Sequence, residues 1–203
     1  MRFEVVTIFH LLRHGERQQS PVLVGRQPGI ALTERGRADI AAVAERLAAE
    51  PIAAIYASPL QRTQETAEIV AARLGLPVAL RDDLLELDFG DWTGATFDTI
   101  RNHPGFPAWS TQRSLARIPG GETMREVQRR AVEAMFEIGE LHPDEAVVLV
   151  SHGDVIRAAL VFALGMPLDF YGRIEVAQSS ISSIRIDAAG IRVLAVNERP
   201  RPT

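Results

Sequence analysis

Two histidines and two arginines in this 203-residue chain lie where apolar runs give out, and that placement suggests chemistry. Leu12-Arg13-His14-Gly15-Glu16 closes a first apolar run, and Ser151-His152-Gly153-Asp154 closes a later one at residues 146–150. Arg62 follows a third run, 52–57, within the first turn or so of an expected helix. A neutral imidazole nitrogen can attack phosphorus, while guanidiniums grip phosphate with parallel hydrogen bonds and spread positive charge over its equatorial oxygens. The set therefore reads as phosphoryl handling, with a histidine as the carrier. Taken singly, each member has a plainer explanation. A histidine at a strand end is more often structural, Arg62 can pair with Glu65 on a helix surface, and His152 can occupy a helix N-terminus, where the dipole opposes a charged imidazole. His10, His103 and His142 are assigned to structure or surface.

Composition removes the competing covalent carriers. The chain has no Cys, so disulfides, a thiolate zinc site and a cysteine nucleophile are excluded. It also lacks Lys, all 22 basic residues being Arg, which excludes a Schiff base and a P-loop lysine. No two Asp residues stand at the i, i+2 spacing of an aspartyl-phosphate nucleophile. No carboxylate cluster accompanies the two histidines, so no metal is expected. A net charge of -4 and a pI near 5.8 carry no basic footprint for nucleic acid, and no apolar run approaches the roughly 20 residues of a membrane span. Met1-Arg2-Phe3-Glu4 places an acid where a signal peptide would be apolar, so the protein is expected in the cytoplasm.

The elements that must position these residues alternate. Residues 3–12 form an expected strand buried on both faces. From the N-cap Thr33, Ile40, Val43, Ala44, Leu47 and Ala48 recur at helical spacing, and that helix stops before Pro51. After the strand at 52–57, Ser58-Pro59-Leu60-Gln61 reads as an N-cap with a capping box, opening a helix that ends at Gly75. A short strand at 77–80 leads into a loop-rich stretch, 81–121, of the kind that forms lids. Met124, Val127, Ala131, Ala134, Ile138 and Leu141 mark a long amphipathic helix, followed by the strand at 146–150, a helix at 155–164, and a hairpin from 181–186 and 191–195. The alternation implies a three-layer α/β/α sandwich with a mostly parallel central sheet. Length points to a single domain over 1–197, with a frayed tail at 198–203.

Six ordered segments together resemble the histidine phosphatase superfamily, the phosphoglycerate mutase-like fold. They are Leu12-Arg13-His14-Gly15-Glu16; Gly25-Arg26-Gln27-Pro28-Gly29 with Leu32-Thr33-Glu34-Arg35-Gly36; the stretch from Ser58 through Arg62 to Ala67; the stretch from Leu85-Glu86 to Gly94; Pro119-Gly120-Gly121-Glu122; and the stretch from Val150 through His152 to Arg157. The resemblance implies that His14 is the phospho-accepting nucleophile. Arg13, Arg62 and His152 would complete the phosphate pocket, with Gly15, Gly25 and Gly153 beside them, and Glu86 would be general acid and then base. Arg13 and Arg62 would lower the His14 pKa below its usual value of about 6.5. Where many members carry Thr and Asn, this chain has Arg17 and Ser20, and Gln178 replaces a late Asn. Ser20 can still donate to phosphate, and Arg17 can meet a second anionic group. The stretch between Asn102 and Gly121 is expected to overhang the pocket, with Arg113 or Arg117 binding the non-reacting part of an anionic substrate.

The expected activity is a phosphomonoesterase that hydrolyses a small phosphate ester through phosphohistidine, with no cofactor. The alternative is a phosphomutase, which needs a bisphosphorylated primer and a site closed against water; the compact chain favours hydrolysis. A third reading is a non-catalytic module that binds phosphate esters. A homodimer is left open.

Overall fold

Apolar residues dominate β1 (Thr7–Arg13), and its neighbours explain why nearly all of it is buried. In the computed structural model, which describes residues 6–199, β1 lies between β4 (Ala146–Ser151), parallel to it, and β5 (Ile181–Asp187), antiparallel to it. With β2 (Ile52–Ala57), β3 (Val78–Leu80) and β6 (Gly190–Glu198), the strand order is β3-β2-β4-β1-β5-β6. The first four strands run parallel, and β5 pairs antiparallel with both β1 and β6. This is the expected mostly parallel sheet with a terminal hairpin. The expected start of the first strand at residue 3 lies outside the described residues.

Alternation along the strands sorts the core into two layers. Phe9, Leu11, Val147 and Leu149 pack in one cluster with residues of α5 (Met124–Leu141) and α6 (Gly153–Ala163). Leu12, Ile55, Ala57, Val148 and Val150 pack in the other with residues of α1 (Glu34–Leu47) and α2 (Gln61–Leu74). Caps fix two helix starts. Thr33 accepts from the Gly36 amide, and Thr123 forms a reciprocal capping box with Glu126, each such cap being worth about 1 kcal/mol. Leu141 was expected on the buried face of α5, but it is the last residue of the helix and is exposed.

One expectation in the middle of the chain needs correction, and a second gains detail. Ser58 does not cap α2: the helix begins at Gln61, Leu60 is its N-cap, and the Ser58 hydroxyl bonds His152 instead. The stretch 81–121 is loop-rich, as expected, but short elements interrupt it. It holds 3₁₀ turns at Asp82–Leu84 and Gly90–Trp92, then α3 (Phe97–Arg101) and α4 (Phe106–Thr111). Trp109 of α4 meets Trp92 edge-on at 5.2 Å and Phe89 at 6.3 Å.

At the far end, α6 starts at Gly153 rather than 155 because His152 already serves as its N-cap residue. The tail is not frayed from residue 198, since β6 continues through Glu198, whose carboxylate takes a 3.0 Å hydrogen bond from Arg46 Nε. Residues 200–203 lie outside the described residues. His10, in β1, sits with Nε2 2.8 Å from Glu50 and Nδ1 3.0 Å from Ser183 Oγ, and His142 bridges Tyr56 and Glu145. No helix among the described residues is long and apolar enough to cross a membrane.

Candidate active site

The pairing of Arg13 with Ser151 across β1 and β4 brings the next residue of each strand side by side. His14 and His152 therefore leave the sheet together, with ring centroids 5.3 Å apart, and the His14 amide donates to the Ser151 carbonyl at 3.1 Å. Both rings are buried. Nδ1 of His14 lies 2.8 Å from the Gly15 carbonyl, an oxygen that can only accept. Nδ1 thus carries the proton, and the lone pair is on Nε2. Burial pulls the His14 pKa well below 6.5, and the charges of Arg62 and Arg13 pull it further, so the ring is neutral at pH 7. His152 is lowered by the same causes, burial first and Arg62 next. Its Nε2 sits 2.8 Å from Ser58 Oγ, and its Nδ1 has no hydrogen-bond partner among the described residues.

Two guanidiniums face this pair. Arg62, on the first turn of α2 and 3% exposed, donates from Nη2 to the Gly25 carbonyl at 2.8 Å, while Nε and Nη1 have no partner among the described residues. Arg13 donates from Nη1 to the Val176 carbonyl at 2.6 Å, leaving Nε unpaired. A buried donor without a partner costs about 1–3 kcal/mol, so three of them beside two neutral imidazoles describe a place prepared for an anion. Burial lowers the Arg62 pKa to about 10, with Glu86 opposing the shift, and the group stays charged at neutral pH.

The carboxyl of Glu86 completes the ring of groups. Glu86 lies in 85–89, an irregular segment just beyond the 3₁₀ turn at Asp82–Leu84, and Oε1 accepts from the Leu87 amide at 2.8 Å. Burial raises its pKa to about 7 and the neighbouring charge of Asp154 adds to the rise, against the Leu87 hydrogen bond, Arg62 and Arg13. A carboxyl poised there can both give and take a proton near neutrality. His14, Arg13, Arg62 and Glu86 line a cleft of about 190 Å³, together with Arg17, Gly25, Gly153, Asp154 and Arg157 and the apolar walls Leu23, Val24 and Phe89, while His152 is fully buried against His14 and does not line it. That is smaller than the range of about 300–1,000 Å³ typical of drug-sized ligands.

Several expected contacts fall elsewhere. The Gly15 amide is already given to Thr66 Oγ1 at 3.1 Å, and a Cβ there would stand 2.9 Å from the Gly36 carbonyl; Gly15 serves close packing against α1, not phosphate. Gly25, at φ +50°, turns its carbonyl toward Arg62 and so orients the guanidinium. Ser20 accepts from the Val22 amide and lines a neighbouring groove with Gln19 and Gln178, outside the cleft. Arg117 is exposed and pairs with Glu126, away from the cleft. Arg113 does not line it either: its guanidinium carbon lies 3.6 Å from the Trp109 ring centre and 4.6 Å from that of Tyr171, fastening the chain after α4 to the body. Arg17 does line the cleft.

Asp154 and Arg157 gained no role from sequence, and Ser58 only that of a helix cap. Asp154 and Arg157, three apart on α6, form a pair at 3.3 Å on the cleft wall, and that helical spacing was the available signal. Among the described residues, no group of three or more His, Asp or Glu side chains is placed to hold a metal ion.

Known proteins share this arrangement of the chain. Phosphoserine phosphatase 1 of Hydrogenobacter thermophilus is 31% identical over 192 residues, covering 92% of this chain and 90% of that protein. A probable phosphoglycerate mutase, GpmB, of Cronobacter sakazakii is 35% identical over 180 residues, covering 86% and 83%. Among solved structures, YhfR of Bacillus stearothermophilus superposes with a TM-score of 0.87 at 34% identity, covering 93% of this chain and 96% of that one. The model of the histidine phosphatase superfamily (branch 1) matches residues 9–199, from mid-β1 past the end of β6, and the chain belongs to that superfamily.

Proposed function

We propose that the cleft hydrolyses a small phosphomonoester in two displacements on His14. Nε2 attacks phosphorus in line, and the bond to the ester oxygen breaks as the bond to nitrogen forms. The unpaired N–H groups of Arg13 and Arg62, with His152, take the charge on the equatorial oxygens. Glu86, protonated at its raised pKa, gives its proton to the departing alkoxide. The resulting carboxylate then draws a proton from water as the water attacks phosphohistidine, which releases inorganic phosphate and restores Glu86.

The observation that carries this reading is the neutral His14 whose Nδ1 is tied to Gly15, leaving Nε2 as the basic nitrogen among buried guanidinium donors without partners. Two relatives are named for phosphoserine and phosphoglycerate, which are small phosphate esters with a carboxylate. A ligand of that size suits a cleft of about 190 Å³, where Arg17 and Arg157 offer counter-charge to its non-reacting end. The test is rapid quenching with a labelled phosphate ester. Acid-labile, base-stable label on wild type but not on His14→Ala supports the reading; label on both, or hydrolysis unaffected in the variant, overturns it. Incubation with 3-phosphoglycerate separates the mutase alternative, which yields an isomer in place of free phosphate.

A further inference from the structure

Glu86 carries its proton on a segment with no ladder or helix to hold it, since residues 85–89 belong to no regular element. Its backbone is nonetheless gripped twice. Arg26 Nε donates to the Glu86 carbonyl at 2.7 Å, and Arg130 Nη2 donates to the same oxygen at 3.2 Å. One carboxylate, Glu122, holds both guanidiniums: Arg26 Nη2 at 2.8 Å, Arg130 Nε at 3.0 Å and Arg130 Nη2 at 3.1 Å. The same Oε2 of Glu122 accepts from the Asp88 amide at 3.0 Å, and Arg130 Nη1 donates to the Asp83 carbonyl at 2.7 Å. The segment carrying the acid is thus tied at residues 83, 86 and 88 by a single ionic cluster.

The cluster also touches the other half of the site. Arg26 follows Gly25, whose carbonyl orients Arg62, and the Gln27 amide closes this turn on the Val24 carbonyl at 2.9 Å. One tight turn therefore fixes the phosphate-binding guanidinium through one residue and the acid through the next. Arg130 and Glu122 are only 14% and 20% exposed, so the cluster is held largely out of water, and proton transfer demands placement to well under an ångström.

We propose that Glu122, Arg26 and Arg130 are positioning residues for the general acid, setting the distance from Glu86 to the ester oxygen of a phosphate held by Arg62. This rests on the assignment of Glu86 as the acid. The cluster acts on proton donation and not on phosphate binding, so its loss is felt only where the leaving group needs a proton.

The test compares kcat/KM, which reports the first displacement, for an alkyl phosphate and for p-nitrophenyl phosphate, whose nitrophenolate leaves without a proton. Glu122→Gln keeps the shape of the side chain but weakens its hold on two cations. It should lower the alkyl-to-aryl ratio by about ten-fold or more, with the aryl value near that of wild type. Arg26→Gln, at a more exposed position, should act in the same direction and decides the matter if a thermal melt shows Glu122→Gln unfolded. In Glu86→Gln the ratio should already be low, and adding Glu122→Gln should lower it no further. Parallel losses on both esters, or an additive loss in the double variant, would overturn the proposal. An unchanged ratio in Glu86→Gln would instead overturn the acid assignment beneath it.

Discussion

The two halves of the cleft are built by opposite means. The half proposed to hold phosphate hangs from regular structure: Arg13 ends β1, Arg62 opens α2, and His152 is the N-cap residue of α6, so each side chain inherits its place from a ladder or a helix. The half proposed to supply the proton comes from an irregular segment held by an ionic cluster, with Phe89 at its end set against Trp109 of the short helix α4. The difference teaches that the invariable part of the reaction, a tetrahedral anion, can be met by the sheet edge. The alcohol differs from ester to ester, and it is met by parts that can be rebuilt without disturbing the sheet.

Substitutions should respect that division. The largest effect belongs to His14→Ala, which should lower turnover of every ester by about four orders of magnitude or more; comparable initial rates in wild type and variant would erase the division at its centre. Arg62→Ala removes two donors otherwise unpaired and should slow alkyl and aryl esters alike, by about 10²–10³-fold. Glu86→Gln should slow alkyl esters by about 10²-fold or more while sparing kcat/KM for nitrophenyl phosphate. If both substitutions gave the same leaving-group profile, the cleft would have no such halves.

The pH dependence sharpens the contrast. Glu86 must be protonated to act as acid, so kcat/KM for an alkyl ester should decline as pH rises above about 7, and this limb should vanish in Glu86→Gln. The His14 pKa is lowered well below 6.5, so the nucleophile stays neutral and no loss should appear until the pH is well into the acid range. Stability should respond with opposite signs. Glu86 binds its proton more tightly when folded, so its contribution is full below its unfolded value of 4.5 and is lost as pH rises through about 7. His14 binds its proton less tightly when folded, so its contribution is present above 6.5 and is lost as pH falls below that. Glu86→Gln should accordingly raise the melting temperature by about 2–4 °C at pH 8 but not at pH 4, as calorimetry would show. The smallest effect is expected from Arg113→Ala, which loses its stacking on Trp109 and Tyr171 at about 1 kcal/mol. Amide exchange should quicken in α4 while β1 and β4 keep their protection.

The sheet-edge half was legible from sequence because its residues sit where one periodicity stops and another begins. Arg13, His14, Arg62 and His152 could be placed at one edge without knowing a single contact. Glu86 was reachable only through family resemblance, since residues 85–89 have no period to read. Ser58 shows a local signal losing to a distant partner: Ser-Pro-x-Gln matches a capping box, yet the hydroxyl is taken by His152 and the helix starts three residues on. α3 and α4, at five and six residues, are too short for a helical repeat to show. Ser20, Arg117 and Gln178 were assigned by motif position or charge, neither of which says which way a loop side chain turns. The cluster of Arg26, Glu122 and Arg130 joins residues far apart in the chain, and only the folded backbone reveals it.

The strand order has a consequence for how the molecule is made. Of the described strands β1 is made first, yet both strands that flank it, β4 and β5, begin only at Ala146 and Ile181. An apolar strand must therefore wait, unpaired on both edges, until β4 has been made, while β2 with β3 and helices α1 and α2 can already collapse on one another. His14 meets His152 only when β4 docks, so the nascent chain holds the proposed nucleophile long before it has a site. Catalytic competence is then a late event in the life of the polypeptide, and the appearance of activity during translation would time the docking of β4.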